Sequence, residues 1–315
     1  MVAVWIIVFL AVVQGILEWL PVSSEGQLVL ILNWLNESEN ALAITLFLHI
    51  GTLMAIIIRF RKDLGVLLGV KRREKESEES KAPEVETVND EKESGEKGQS
   101  KEEQKALWKF LLLGTLFTGI IGVPLYFLVK YVLQEGDLLT FANGAITGGD
   151  IITMLVGIFL VGTGIFIFIS KRRVSARSLL QMKTWEMIVV GLVQGLAIIP
   201  GVSRSGSTVS TMLLEGIQEE ESLRLSFLLS IPAVIGANIL TFIIDLAKGE
   251  MSFTGIPIYG MFLAIFIAAI VGYLTIDMFL RFAKKVNFGW FCVALGALAL
   301  VITIIVIILR ATTVI

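Results

Sequence analysis

The sequence predicts an all-α integral membrane protein, with six transmembrane helices and two re-entrant helical hairpins arranged as an inverted-topology repeat. Three observations carry this reading. First, 55% of the 315 residues are hydrophobic and only 17% are charged. Several uninterrupted stretches approach the roughly 20 apolar residues that cross a bilayer core of about 30 Å. Second, two further apolar regions are broken at their midpoints by Pro, Gly and Ser, and the two breaks resemble each other. Third, the basic residues collect in alternate loops.

Residues 2–36 form the first broken region. Its opening run, MVAVWIIVFLAVVQG, has no basic n-region and no A-x-A-like cleavage site, so it reads as part of the mature protein rather than a signal peptide. A full span follows at about 41–61. Residues 63–106, which include KRREKESEES, hold almost no large apolar residues and mix both charges densely. Such a segment cannot bury a core and is expected to be a disordered cytoplasmic loop. Further spans lie at about 107–132 and 151–170. The second broken region is 185–215, and spans at 223–246, 257–282 and 288–310 complete the chain. The organisation expected is 1–62 (first hairpin and first span), 63–106 (charged loop), 107–183 (two spans completing the first repeat) and 184–315 (second repeat).

Charge orients the spans. RFRKD and KRREK follow the first span, KRRVSARSLLQMK the third and RFAKK the fifth, while QEGDLLTFANGAITGGD and KGEMSFTGIP carry one lysine between them. The positive-inside bias places the three basic loops in the cytoplasm. Residues 1–36 must then enter and leave from the outside, and 185–215 from the cytoplasm. Each half is one hairpin followed by three spans. Because three is odd, the second half is upside down relative to the first. Inverted repeats place their functional site near the midplane, where broken helices meet. The sequence agrees: VQGILEWLPVSSEG at 13–26 resembles VQGLAIIPGVSRSG at 193–206, with a slip of one residue.

Cys292 is the only cysteine, so no intrachain disulfide forms and a thiolate metal cluster is excluded. His49 is the only histidine, which removes multi-histidine metal sites. The net charge of -2 says nothing about partners, and nucleic acid is not expected as one.

The polar residues of the hairpins are the candidates for chemistry. Gln14 and Glu18, four apart, share a helix face. Pro21 ends that helix, and Ser23, Ser24 and Glu25 follow in the turn. Ionisable groups at membrane depth are costly and line pathways or reaction sites; the alternative is a solvated Glu18 at the interface. In the second hairpin, Pro200 and Gly201 break the helix ahead of Ser203, Arg204, Ser205, Gly206, Ser207 and Thr208. Arginine offers a fork suited to phosphate oxygens, and Ser207 and Thr208 are read as the point where a helix restarts and presents free N–H groups to anions. This is a phosphate cradle on physical grounds. A capping turn in which Arg204 pairs with Glu18 is the alternative, and the two are compatible in a ligand-free site.

These motifs resemble those of the undecaprenyl-diphosphate phosphatase family, the bacitracin-resistance membrane phosphatases. That family shows (E/Q)-x-x-x-E running into P-V-S-S, and a second motif P-G-x-S-R-S-G-x-T. Here stand Gln14-x-x-x-Glu18, Pro21-Val22-Ser23-Ser24 and Pro200-Gly201-Val202-Ser203-Arg204-Ser205-Gly206-Ser207-Thr208; LFLHIGTLMAI at 46–56 and FLLSIPAVIGA at 227–237 also resemble family segments. The resemblance implies a multi-pass plasma-membrane enzyme that removes one phosphate from a polyprenyl diphosphate, recycling the lipid carrier of envelope glycan synthesis, with Mg²⁺ or Ca²⁺ as cofactor. It implies Glu18 as a metal-binding or general acid/base carboxylate, with Gln14 in the other motif position. Ser24 is implied as nucleophile or positioning hydroxyl. Arg204, with Ser203, Ser205 and Thr208, would hold the diphosphate, and Ser23 would assist.

One departure matters. Family members commonly read S-S-x-G-H, whereas this chain reads Ser23-Ser24-Glu25-Gly26-Gln27. Gln27 is expected to contact substrate but cannot take a proton. Glu25 is expected to compensate, because a carboxylate can activate a hydroxyl or bind a cation. His49 lies in another span and could reach the site, although a lone membrane histidine is more often a packing or hydrogen-bonding residue. The rival reading is a carrier for the polyprenyl phosphate, since midplane broken helices also suit transporters. Homo-oligomerisation is compatible with the sequence.

Overall fold

A computed structural model of the chain describes residues 4–35, 41–69, 89–134, 146–173, 176–247 and 258–313. The first hairpin is α1 (Val4–Leu17) and α2 (Ser24–Trp34); α3 (Ala41–Arg59), α4 (Arg61–Leu67), α5 (Asn89–Gln134) and α6 (Gly148–Ser170) follow. The second hairpin is α7 (Thr184–Leu196) and α8 (Arg204–Leu214), and α9 (Glu219–Ala247), α10 (Ile258–Lys285) and α11 (Phe288–Thr313) end the chain. Five of these helices are long and apolar enough to cross a membrane, and α3 with α4, bent by 74°, makes a sixth. The bend falls where Arg61, Lys62 and Asp63 bring charge into the helix, which cannot continue into lipid at that point. Every span expected from the sequence has its helix.

The charged segment differs from expectation. Residues 70–88 lie outside the described residues, but α4 runs on to Leu67 and α5 runs back to Asn89, so both reach into the stretch read as disordered. The physical reason is composition. Glu, Lys and Gln are strong helix formers. Tertiary ties hold its base: Gln104 Nε2 and Trp108 Nε1 both donate to the Leu67 carbonyl, at 3.0 and 2.9 Å. Arg224 on α9 pairs with Asp63 at 2.7 Å and with Glu103 at 3.5 Å.

Polar contacts divide the helix ends between two faces. One face carries Arg59–Asp277, Arg224–Asp63, Lys171–Glu219 and Arg177–Glu186. These are the basic loops, and the second hairpin begins and ends among them. Burial there pushes the Glu215 carboxyl, at the C-terminus of α8, up to about 8. The other face carries Arg310–Asp150 at 2.6 Å. On that side Asn33, at the end of the first hairpin, donates to the Gly149 carbonyl and to Thr153 Oγ1. The two hairpins therefore enter from opposite faces.

Helix packing follows the repeat. Helix α1 packs on α10 as α7 packs on α5; α3 packs on α10 as α9 packs on α5; α6 meets α11 and α3 meets α9. Small residues let these backbones approach, as membrane helices require in the absence of a hydrophobic drive between them. A Cβ on Gly164 would lie 2.6 Å from the Gly289 carbonyl oxygen, and one on Gly296 2.6 Å from that of Gly157. The hairpins are thus held between packed helix pairs, with their tips inside the protein.

Candidate active site at the hairpin tips

Each hairpin tip is a helix end, a proline turn and a new helix start. Helix α1 stops at Leu17, one turn before Pro21, because a proline ring clashes with the carbonyl of the preceding turn. The chain then needs a left-handed residue to turn back. The second hairpin has the extra Gly201 for this, at φ 100°. The first tip has one residue fewer between its proline and its capping serine and places Ser23 itself in that region, at φ 55°, which costs a non-glycine residue about 1 kcal/mol. Ser23 Oγ then accepts from Gly26 N–H at 3.2 Å and caps α2, as Ser203 Oγ accepts from Gly206 N–H at 3.0 Å and caps α8. The helix of the second motif therefore starts at Arg204, earlier than Ser207 and Thr208.

The tips touch. A Cβ on Gly26 would lie 2.7 Å from the Gly201 nitrogen, and one on Gly206 3.2 Å from the Pro21 carbonyl oxygen. Ser205 Oγ donates to the Leu20 carbonyl across the same junction. Two helix N-termini thereby meet at one pocket, lined by Ser23, Ser24 and Glu25 from one and Ser203, Arg204 and Ser205 from the other. The first N–H groups of each helix have no intrahelical acceptor and carry partial positive charge.

Glu18 lies at the centre, 3% exposed. Its Oε1 pairs with Arg204 Nη2. Its Oε2 accepts from Gln14 Nε2 at 2.7 Å and from Ser24 Oγ at 3.0 Å, and lies 3.3 Å from His49 Nε2. The buried acid is paired and hydrogen-bonded, as its depth demands. The solvated end-group is not what the structure has.

The other expected residues divide. Gln14 orients Glu18 from α1 and stands outside the pocket lining. Thr208 Oγ1 donates to the Arg204 carbonyl at 2.8 Å and lies 2.6 Å from Ser226 Oγ, so it braces α8 against α9. Gln27 Nε2 donates to the Val22 carbonyl at 2.9 Å and is turned into its own hairpin. Glu25 lines the pocket, with Oε1 buried and without a hydrogen-bond partner. His49, left open between packing and reaching the site, is in the pocket beside Glu18. No pattern within α3 announces this, because it depends on how α3 docks against the hairpin.

A divalent cation held at Glu18 does not fit this arrangement. Oε1 faces a guanidinium, and Oε2 is already shared among an amide, a hydroxyl and an imidazole. Among the described residues, no group of three or more His, Cys, Asp and Glu side chains is placed to hold a metal ion. The hard cations need several oxygen donors, which here would have to come from the substrate.

From the polar end the pocket continues as an apolar groove, about 410 Å³ in all, between α5, α7 and α9. Gly119, Gly122 and Gly236 form part of its wall, and Val123, Ile239 and Ile243 are exposed at its lipid-facing side. The sequence reading missed this groove. Its signal was the glycines inside otherwise apolar spans.

Comparison with known proteins identifies the family. The family model for the bacitracin resistance protein BacA matches residues 7–300. A protein of Methanothrix thermoacetophila named undecaprenyl-diphosphatase is 36% identical over 296 residues, 93% of this chain and 94% of that protein. Proteins of the same name from Methanococcoides burtonii and Haloarcula marismortui are 36% and 33% identical, each over 93% of this chain and 95% of their own. The chain belongs to the bacitracin resistance protein BacA family.

Proposed function

We propose that this protein is a membrane phosphatase that hydrolyses a polyprenyl diphosphate of the undecaprenyl type to the monophosphate and inorganic phosphate. In this reading it recycles the lipid carrier of envelope glycan synthesis at the plasma membrane. The observation that carries the proposal is the meeting of two helix N-termini, the Arg204 fork and the Ser24 hydroxyl at the head of an apolar groove open to lipid. The relatives' name, undecaprenyl-diphosphatase, supports the same substrate.

The prenyl chain lies in the groove and continues into the bilayer. The diphosphate sits against the N–H groups that open α2 and α8, where anions are stabilised. Arg204 turns from Glu18 to the terminal phosphate and binds it through the guanidinium fork. Ser24 Oγ, already hydrogen-bonded to Glu18, is the nucleophile, and Glu18 draws off its proton. Any divalent ion belongs to the substrate, as a cation–diphosphate complex.

The test is phosphate release by purified protein from a polyprenyl diphosphate supplied with Mg²⁺ or Ca²⁺, with and without chelator. Stoichiometric phosphate and monophosphate lipid are expected. Well-folded protein that binds the lipid and releases no phosphate is a carrier, and the phosphatase reading falls.

A further inference from the structure

The family motif places a histidine where this chain has Gln27, whose side chain is bonded to the Val22 carbonyl. The pocket nevertheless contains an imidazole. His49 Nδ1 lies 2.6 Å from the Thr45 carbonyl oxygen. A carbonyl only accepts, so Nδ1 carries a proton. In the neutral ring Nε2 is then bare, and it faces Glu18 Oε2 at 3.3 Å. Two acceptors stand at hydrogen-bond distance with no proton between them. Ser24 Oγ–H points at that same Oε2 from 3.0 Å. A hydroxyl, a carboxylate oxygen and a bare ring nitrogen are in sequence, and one proton passed along the row completes the last contact.

We propose that His49 is the terminal proton acceptor of phosphoryl transfer, taking the Ser24 proton by way of Glu18 Oε2 and so replacing the histidine that Gln27 displaces. The proposal rests on the phosphatase reading. In the first step Ser24 Oγ bonds to the terminal phosphorus. The bridging P–O bond breaks and its electron pair leaves on the lipid monophosphate. The Oγ proton moves to Oε2, and the proton on Oε2 moves to Nε2, giving an imidazolium beside a carboxylate. In the second step water bonds to phosphorus and the Oγ–P bond breaks with its electron pair on Oγ. The imidazolium returns its proton to Oγ through Glu18, and both water protons leave on phosphate as the dihydrogen anion. Protons and charge balance over the cycle.

The charged groups that act on His49 are Glu18 and Arg204. Glu25 lines the same pocket. On α9 and α10, which also pack against α3, Arg224 and Asp277 are paired with Asp63 and Arg59 at the cytoplasmic face.

The chain has one histidine, so the ring can be followed without assignment. The experiment is a pH profile of kcat/KM for wild type and His49→Gln, beside an NMR titration of the single imidazole in micelles. An already protonated ring cannot accept, so wild-type activity should fall on an acid limb whose midpoint matches that of the ring resonance. Glu18→Gln should move the ring midpoint. His49→Gln should lose the limb and about 100-fold in kcat, the scale of proton-transfer catalysis, with KM within about threefold. A limb that persists in His49→Gln, or a ring midpoint away from the wild-type limb, overturns the proposal even if the variant folds poorly. A ring that titrates normally in a protein that releases no phosphate overturns the phosphatase reading instead.

Discussion

Replacing Arg204 by Met removes the guanidinium and leaves Glu18 as a carboxylate whose side chain is 2% exposed. Breaking a buried ion pair from one side costs about 3–5 kcal/mol, because the remaining charge has lost its partner. Here Glu18 keeps the Gln14 amide, the Ser24 hydroxyl and the His49 ring, so the lower end, about 3 kcal/mol, applies. Glu18→Gln removes the charge from the other side. Its cost is smaller, about 1 kcal/mol, because the Arg204 side chain is 17% exposed and keeps water at its head. In the double variant both charges are gone, and the cost should return to about that of Glu18→Gln alone. The assay is thermal unfolding in micelles at a fixed scan rate, read by the fluorescence of six tryptophans. At about 2 °C per kcal/mol for a chain of this length, Arg204→Met should lower the midpoint by about 6 °C, and adding Glu18→Gln should recover about 4 °C of it. Phosphate release should stay lost throughout. Additive losses in the double variant, beyond about 0.5 kcal/mol, would mean that the two charges are independent in the folded protein, and the site as described would be wrong.

Four further outcomes are expected. Arg204→Lys should keep the midpoint but lose at least about tenfold in kcat/KM, about 1.4 kcal/mol, because a point charge replaces a fork; wild-type turnover would make Arg204 structural. Ser24→Ala should abolish phosphate release while lipid binding persists, and Glu25→Gln should only impair it; equal losses from both would remove Ser24 from the nucleophile's role. Glu215 has an ordinary carboxyl value of 4.5 and about 8 when folded, with burial as the main cause. The folded state therefore holds the proton more tightly, and this contribution is full below pH 4.5 and lost as pH rises through 8. Glu215→Gln should flatten the decline of the thermal midpoint between pH 5 and pH 9, and parallel curves would refute it. Cysteine at position 95 should react with impermeant reagent only after the cytoplasmic face is opened; labelling in sealed cells would reverse the topology.

The spans were readable because the length of an apolar run is itself the physical requirement for crossing a bilayer. The opposed entry of the hairpins was readable from loop charge, and the ion pairs at the two faces agree with it. The pairing of Glu18 with Arg204 was open to the sequence as one of two compatible alternatives. Three features were hidden. The start of α8 at Arg204 was missed because Ser203 caps Gly206, where the usual acidic partner of a capping box is absent. The helix in the charged segment was missed because a solvated helix and a disordered tract can share one composition. The apolar groove was missed because it forms only where α5, α7 and α9 pack, and His49 was left undecided because its nearness to Glu18 belongs to the docking of α3, which leaves no periodic trace along the chain.

The contact between the two tips has a consequence for biogenesis. Glu18 emerges from the ribosome early, and its counter-charge is 186 residues later. Until that second half is inserted, the first hairpin has an acid with no cation and a turn whose neighbouring backbone does not yet exist. An acid without its counter-charge is costly at membrane depth. The ion pair at the site therefore closes only once α8 has been made, and the first hairpin cannot complete its tip alone.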